Sequence, residues 1–228
     1  GGDQSAAFAV RAGELLPFMS DVIDYSFHRH LRAAARRRVV LASTVDGTTQ
    51  VIGFADLVRF TELSLQLDDH DLADLVGRFD DLVNRTVVRH GGRTVKMIGD
   101  GAMFATTDST QAALIALELA DAIAEDPLLP GLRVGMASGR VIARDGDLYG
   151  PVVNLASRLV TFGRAGAINV DQPTRQALAG DRRFALRSLG SRQLRHIGDV
   201  KVHRLRPGPE WQIQATADDP AMLAPELD

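Results

Sequence analysis

The chain has 228 residues and a mass of 24.6 kDa, enough to bury a sizeable core without disulfides or a structural metal. Lys+Arg total 26 against 29 Asp+Glu, a net charge of −3, so no global cationic field argues for nucleic acid or an anionic membrane surface. There is no cysteine, and the composition is 45% hydrophobic and 24% charged; disulfides and thiolate metal sites are excluded, any cation must sit on oxygen or imidazole, and no apolar run reaches the ~18 residues of a membrane span.

Residues 1–45 read as an N-terminal helical linker or regulatory segment. Ala12 to Arg38 ends in an Ala/Arg-rich run from His28, which without interleaved aromatics reads as a solvated connector rather than a nucleic-acid patch. The start at Gly1-Gly2 is that of a trimmed or excised piece, compatible with an upstream regulatory domain in a longer parent chain. After the turn signal Asp46-Gly47, Val51 to Ala55 reads as a buried strand. Leu72, Leu75, Val76, Phe79, Leu82, Val83 and Val87 then recur at the helical period, and Gly91-Gly92 ends the helix. Thr94–Ile98 and Ala102–Ala105 flank Gly99-Asp100-Gly101 as a hairpin.

Further on, the sequence predicts a helix over 112–123, a strand over 132–142 and a helix over 152–160 opened by Gly150-Pro151. A strand over 167–170, a short helix over 174–178 and extended pieces to Leu205 complete the pattern, with 207–228 as a loose tail. Interleaved helices and strands predict one sheet covered by helices.

Two carboxylates stand at strand ends. Asp56 closes an apolar strand before Leu57-Val58-Arg59-Phe60-Thr61, and Asp100 sits in the glycine turn. Read singly, they suit a helix N-cap and a turn residue; read as a pair, they suit two-cation chemistry beside phosphate oxygens. Only Lys96 and Lys201 are lysines, so a lysine inside Val95-Lys96-Met97-Ile98 marks either an outward strand position or a need for a compact donor where Arg offers a planar fork. Asn154 and Arg158, four apart after Tyr149-Gly150-Pro151-Val152-Val153, share one helix stripe. That stripe is either an ordinary polar face or an amide and a guanidinium set against a developing negative charge.

Together these segments resemble the catalytic domain of class III nucleotidyl cyclases, the adenylyl and guanylyl cyclases. Phe54–Thr61 resembles the first metal motif, Val95–Gly101 the second and Tyr149–Arg158 the transition-state motif. The resemblance runs from about Val51 to Leu205, with residues 46–206 as the catalytic domain, and implies an α+β fold: a ferredoxin-like core sheet covered by helices. It also implies an adenylyl cyclase that converts ATP to 3′,5′-cyclic AMP and pyrophosphate. Asp56 and Asp100, helped by the Leu57 carbonyl, would hold two divalent cations, Mg²⁺ or Mn²⁺. The backbone at Phe60 and Thr61 and the side chain of Arg133 would bind phosphates, Lys96 and Asp147 would select the base, Asn154 would orient the ribose and Arg158 would stabilise the transition state. The sites would be shared across a homodimer: Asp56, Asp100 and Arg133 from one subunit, Lys96, Asp147, Asn154 and Arg158 from the other. A cytoplasmic fragment with neither nucleic-acid partner nor membrane span is expected.

The sequence departs from the family pattern at two places. No lysine stands in the C-terminal segment Leu194–Asp199, where members often place a phosphate-binding lysine; Arg195 is the first candidate substitute and Lys201 the second. Arg59 occupies a position where many members carry a small residue. The alternatives are a guanylyl cyclase, whose base Lys96 and Asp147 oppose, and a nucleotide-binding regulatory module of the same fold, which would have no need of Arg158.

Overall fold

A computed structural model describes residues 47–194 and 197–212; the N-terminal helical segment expected over 1–45, Arg195 and the end of the tail lie outside the described residues. The elements are β1 (Thr48–Leu57), α1 (Phe60–Ser64), α2 (Asp69–Arg89), β2 (Arg93–Ile98), β3 (Gly101–Thr106), α3 (Ser109–Glu125), β4 (Leu132–Arg144), β5 (Asp147–Tyr149), α4 (Pro151–Thr161), β6 (Ala167–Val170), α5 (Gln172–Ala177), β7 (Phe184–Leu194) and β8 (Gly198–Pro207). The strands form one mixed sheet in the order β2-β3-β1-β4-β6-β8-β7, with β5 paired to β4. Its first half is β-α-β-β-α-β with all neighbours antiparallel, the expected ferredoxin-like arrangement. β4 then pairs parallel with β6. From Gly47 to Ala143, and from Asp147 onward, the described residues belong to one compact unit.

The period-2 alternation of β1 separates two apolar layers. Val51, Ala55 and Leu57 join the layer built with α2 and α3, whereas Ile52 joins the layer built with α4. Leu75, Phe79, Val83 and Val87 give α2 its buried stripe. The Asp68 carboxylate starts this helix by accepting from the Asp71 N–H at 2.8 Å, and Asp108 accepts from the first-turn N–H groups of α3 in the same way. Where α2 ends, the buried Glu118 of α3 accepts from Arg89 and meets His90 Nε2 at 2.6 Å, tying the two helices together.

On the other face α4 buries Val152, Ala156, Leu159 and Val160. It lies so close to β4 that a Cβ at Gly135 would overlap the Val160 nitrogen and the Ala156 oxygen. Asn169, fully buried on β6, anchors the C-terminal end of α4 by donating to the Leu159 carbonyl at 2.9 Å, one of the carbonyls a helix end leaves unsatisfied. Arg204 of β8 donates to the Asn169 oxygen at 2.9 Å and so fixes the amide's orientation.

Gly208 to Trp211, at the start of the segment expected to be loose, is held in place. Gly208 N–H donates to Arg183 O at 2.7 Å, and Trp211 Nε1–H donates to Asp121 at 3.1 Å. Among the described residues no helix is long and apolar enough to cross a membrane.

Two glycines test this packing in opposite directions. Gly135→Ala forces α4 off the sheet and is expected to cost about 1–3 kcal/mol. At Gly77, exposed on α2 with nothing within 4 Å of an added Cβ, alanine is expected to stabilise by about 0.5–1 kcal/mol. Urea unfolding midpoints of the two variants, moving in opposite senses, check both.

Candidate active site

The sheet's register decides which charged residues meet. β1 runs between β3 and β4, and Asp56 stands opposite Gly101 on one side and Arg133 on the other. The β2–β3 turn carrying Asp100 therefore abuts the C-terminal end of β1, where Leu57 N–H donates to Asp100 O at 3.0 Å. Two acidic residues 44 positions apart are brought together by strand pairing alone. Arg133 completes this centre, its Nε and Nη2 donating to Asp56 Oδ2 at 2.7 and 2.5 Å.

The electrostatics at Asp56 are those of a carboxylate short of positive charge. Burial raises its pKa above the ordinary carboxylate value; Arg133 lowers it through a hydrogen bond and its charge, and Asp100 raises it again. The net shift is upward even with a guanidinium in contact. Oδ2 carries that guanidinium, whereas Oδ1 lies beside Gly101, where a Cβ would come to 3.2 Å; glycine leaves this oxygen open to approach. Among the described residues no group of three or more Asp, Glu or His comes together, so a cation held at Asp56 and Asp100 would need backbone carbonyl or substrate oxygen besides the two carboxylates. Such an all-oxygen set fits Mg²⁺ or Mn²⁺.

A second centre forms from residues 51 positions apart. Lys96 Nζ donates to Asp147 Oδ2 at 2.5 Å, joining β2 to the short strand β5. Asp147 also accepts from the Leu148 N–H at 2.8 Å. Partial burial alone would raise its pKa, but the hydrogen bonds from Lys96 and Leu148 and the charges of Lys96 and Arg93 outweigh that and hold it below the ordinary carboxylate range. Sequence reasoning missed Arg93 here. Its signal was a second cation three residues before Lys96, hidden by the strand's irregularity.

Asn154 and Arg158 are both exposed on α4, whose orientation is set by the Gly135 contact and the Asn169 anchor. Among the described residues no hydrogen bond or ion pair joins them, or the Lys96–Asp147 pair, to the Asp56 centre. Phe60 and Thr61 open α1, a five-residue helix preceded by Arg59 in the left-handed region at φ +64°. Arg59 is turned onto Glu62, Nε to Oε2 at 2.7 Å, with both side chains exposed. Arg195 lies outside the described residues. Lys201 is exposed on β8 and, with Arg140 and Gln172, lines a groove beside Pro151 and Leu155 of α4.

Comparison with known proteins fits this geometry. Residues 46–207 match the family model of the adenylate and guanylate cyclase catalytic domain. The chain is 34% identical over 211 residues to a protein of Glutamicibacter nicotianae named adenylate cyclase, covering 86% of this chain and 52% of that one. It is 39% identical over 159 residues to an adenylate cyclase of Streptomyces coelicolor, covering 69% and 42%. The chain thus spans about half, or less, of the length of these curated relatives. The fold matches the catalytic core of a rhodopsin-guanylyl cyclase with converted specificity, solved in complex with ATPαS, at a TM-score of 0.67 and 23% identity over 72% of this chain and 98% of that one. On the family match over most of its length, the chain belongs to the adenylate and guanylate cyclase catalytic domain family.

Proposed function

We propose that this domain is an adenylyl cyclase, forming 3′,5′-cyclic AMP and pyrophosphate from ATP. The Lys96–Asp147 pair carries the choice of base. Adenine offers an acceptor at N1 and an amino donor at N6, which a lysine ammonium and an ionised aspartate complement; guanine presents the reverse, a donor at N1 and an acceptor at O6. Hydrogen bonds from Lys96 and the Leu148 N–H and the charges of Lys96 and Arg93 hold the Asp147 carboxyl below the ordinary carboxylate range, as suits an ionised acceptor. Relatives named adenylate cyclase support the same reading.

Asp56 and Asp100, with the Leu57 carbonyl, would hold two divalent cations, Mg²⁺ or Mn²⁺. When bound, such cations ease loss of the ribose 3′-hydroxyl proton and offset triphosphate charge. The chain's own groups do the rest. Arg133, which donates to Asp56 in this structure, carries further N–H donors with which to meet a phosphate, and the backbone N–H groups at Phe60 and Thr61 lie in the first turn of α1, where no intrahelical carbonyl can pair with them. Asn154 orients the ribose so that the 3′-oxygen lies in line with the α-phosphorus. Arg158 stabilises the charge that builds on the α-phosphate oxygens as the 3′-oxygen bonds to phosphorus and pyrophosphate departs.

This division of labour requires two copies of the chain. Asp56, Asp100 and Arg133 act from one, while Lys96, Asp147, Asn154 and Arg158 act from the other, giving two equivalent sites in a homodimer.

Three measurements test the reading. Wild-type chain with Mn²⁺ is expected to favour ATP over GTP, and Lys96→Glu combined with Asp147→Ser to erode that preference, since each polar group left mismatched once a bound base encloses it costs about 1–3 kcal/mol; equal wild-type turnover of the two nucleotides defeats the base assignment. Millimolar Mn²⁺ is expected to raise the melting temperature of the wild type, and Asp56→Asn and Asp100→Asn each to abolish most of that rise; an undiminished rise in both places the cations elsewhere. Asp100→Ala and Arg158→Ala, each nearly inactive alone, are expected to recover activity when mixed, because one site of the heterodimer carries both lesions and the other neither. Proven heterodimers that make no cyclic AMP defeat the shared site.

A further inference from the structure

The Lys96–Asp147 pair poses a problem that its own geometry leaves unsolved. At 2.5 Å the two side chains neutralise one another. To read adenine, Lys96 must turn its ammonium toward N1 and Asp147 must accept from the N6 amine. The amine is neutral, so the partly buried carboxylate exchanges a charged donor for an uncharged one while its desolvation persists. Without another cation the carboxylate is left without a counter-charge, its pKa rises and it is a weaker acceptor for the amine.

The second cation stands on the same strand. In a regular strand residues three apart point to opposite faces, so Arg93 would lie across the sheet from Lys96. The β2–β3 register shifts between Thr94 and Lys96, however, with Arg93 opposite Ala105 and Lys96 opposite Met103. Ala105 and Met103 both belong to the apolar layer on the α4 face. The bulge at Val95 therefore brings both cations to one face, the re-aiming that β-bulges perform beside active sites. β5, with Asp147 at its first position, packs against β2. Arg93 is half-buried where Lys96 is exposed. Burial lowers the Arg93 pKa while Asp147 offsets part of that drop, and the Arg93 charge in turn helps to hold Asp147 down.

We propose that Arg93 is a third member of the base-reading cluster, a positioning residue that keeps Asp147 ionised and in place when Lys96 leaves it for the base. This rests on the assignment of Lys96 and Asp147 to adenine. It divides two tasks between two cations. Lys96, exposed on a flexible stem, moves and donates to a single atom, while Arg93, charged at any working pH and more enclosed, remains behind as the counter-ion. Among the described residues the charges acting on Asp147 are those of Lys96 and Arg93, both from β2, and the Leu148 N–H of its own strand also donates to it.

The test compares the wild-type chain with Arg93→Gln, Arg93→Lys and Asp147→Asn, measuring kcat and KM for ATP and GTP with Mn²⁺ from about pH 5.5 to about pH 9. Arg93→Gln is expected to raise KM for ATP about tenfold with kcat within about threefold, and to narrow the ATP:GTP preference by a similar factor. Loss of the guanidinium raises the Asp147 pKa in the nucleotide-bound form, so the acidic limb of kcat for ATP is expected to move to higher pH. Arg93→Lys restores most of each effect.

An Arg93→Gln variant that keeps its KM, base preference and pH limb while Asp147→Asn loses base preference overturns the role of Arg93 and leaves the base reading standing. If Asp147→Asn also keeps the wild-type preference, the base reading fails and this proposal fails with it. A parallel fall for ATP and GTP with a lowered melting temperature, or an Arg93→Lys variant as impaired as Arg93→Gln, shows a packing role instead and equally overturns it.

Discussion

Asp56 lies on a line of three paired strands, between Gly101 and Arg133, and the other charged groups of the first centre take their places from that register. A one-residue slip of β1 would turn Asp56 to the opposite face, among the apolar side chains of α2 and α3, and would bring Ala55 or Leu57 to the site. The slip is prevented by burial on both faces, since Val51, Ala55 and Leu57 fill one layer and Ile52 the other. The same register carries the Asp100 turn to the end of β1 and places the Arg133 guanidinium in contact with Asp56. Position in the sheet, far more than any local loop preference, thus assembles the first centre.

The two centres hold their aspartates in opposite electrostatic states. Burial and Asp100 raise Asp56 although Arg133 touches it; Lys96, Leu148 and Arg93 lower Asp147 although burial opposes them. Pairs of titratable groups pushed apart in this way are how one protein assigns them different roles. A carboxylate undersupplied with positive charge gains from a cation, and one oversupplied with donors stays ionised as an acceptor. Each aspartate in the proposed mechanism has the character that its surroundings already impose.

Much of this was legible in the residues. The stripe Leu75, Phe79, Val83 and Val87, the glycine turn at Asp100 and the Gly150-Pro151 opening of α4 carried local period and turn chemistry, and the structure places elements over each. The short strand β5 was harder to read, because three residues are too few to show a period. The Asn169 anchor was hidden for a different reason. Its partners, the Leu159 carbonyl and Arg204, lie on other elements, and a lone asparagine in Ala167–Val170 carries no local sign of them. The meeting of Lys96 with Asp147 was readable only through family resemblance, since no pattern within either segment points to the other.

The bulge at Val95 shows why strand period fails at this site. Reading β2 as a regular strand sends Lys96 and Arg93 to opposite faces, so Arg93 looks like surface charge and the lysine looks isolated. One extra residue reverses that parity for the first part of the strand while Lys96, Met97 and Ile98 keep their pairing with Met103, Ala102 and Gly101. The composition then makes physical sense. In a chain that otherwise supplies its cations almost wholly as arginine, the proposed base reading puts a lysine where one compact, mobile donor is needed and an arginine beside it as the charge that remains. Bringing both to one carboxylate interrupts the strand ladder at Val95, and β2 is an edge strand of the sheet, where such an interruption costs least.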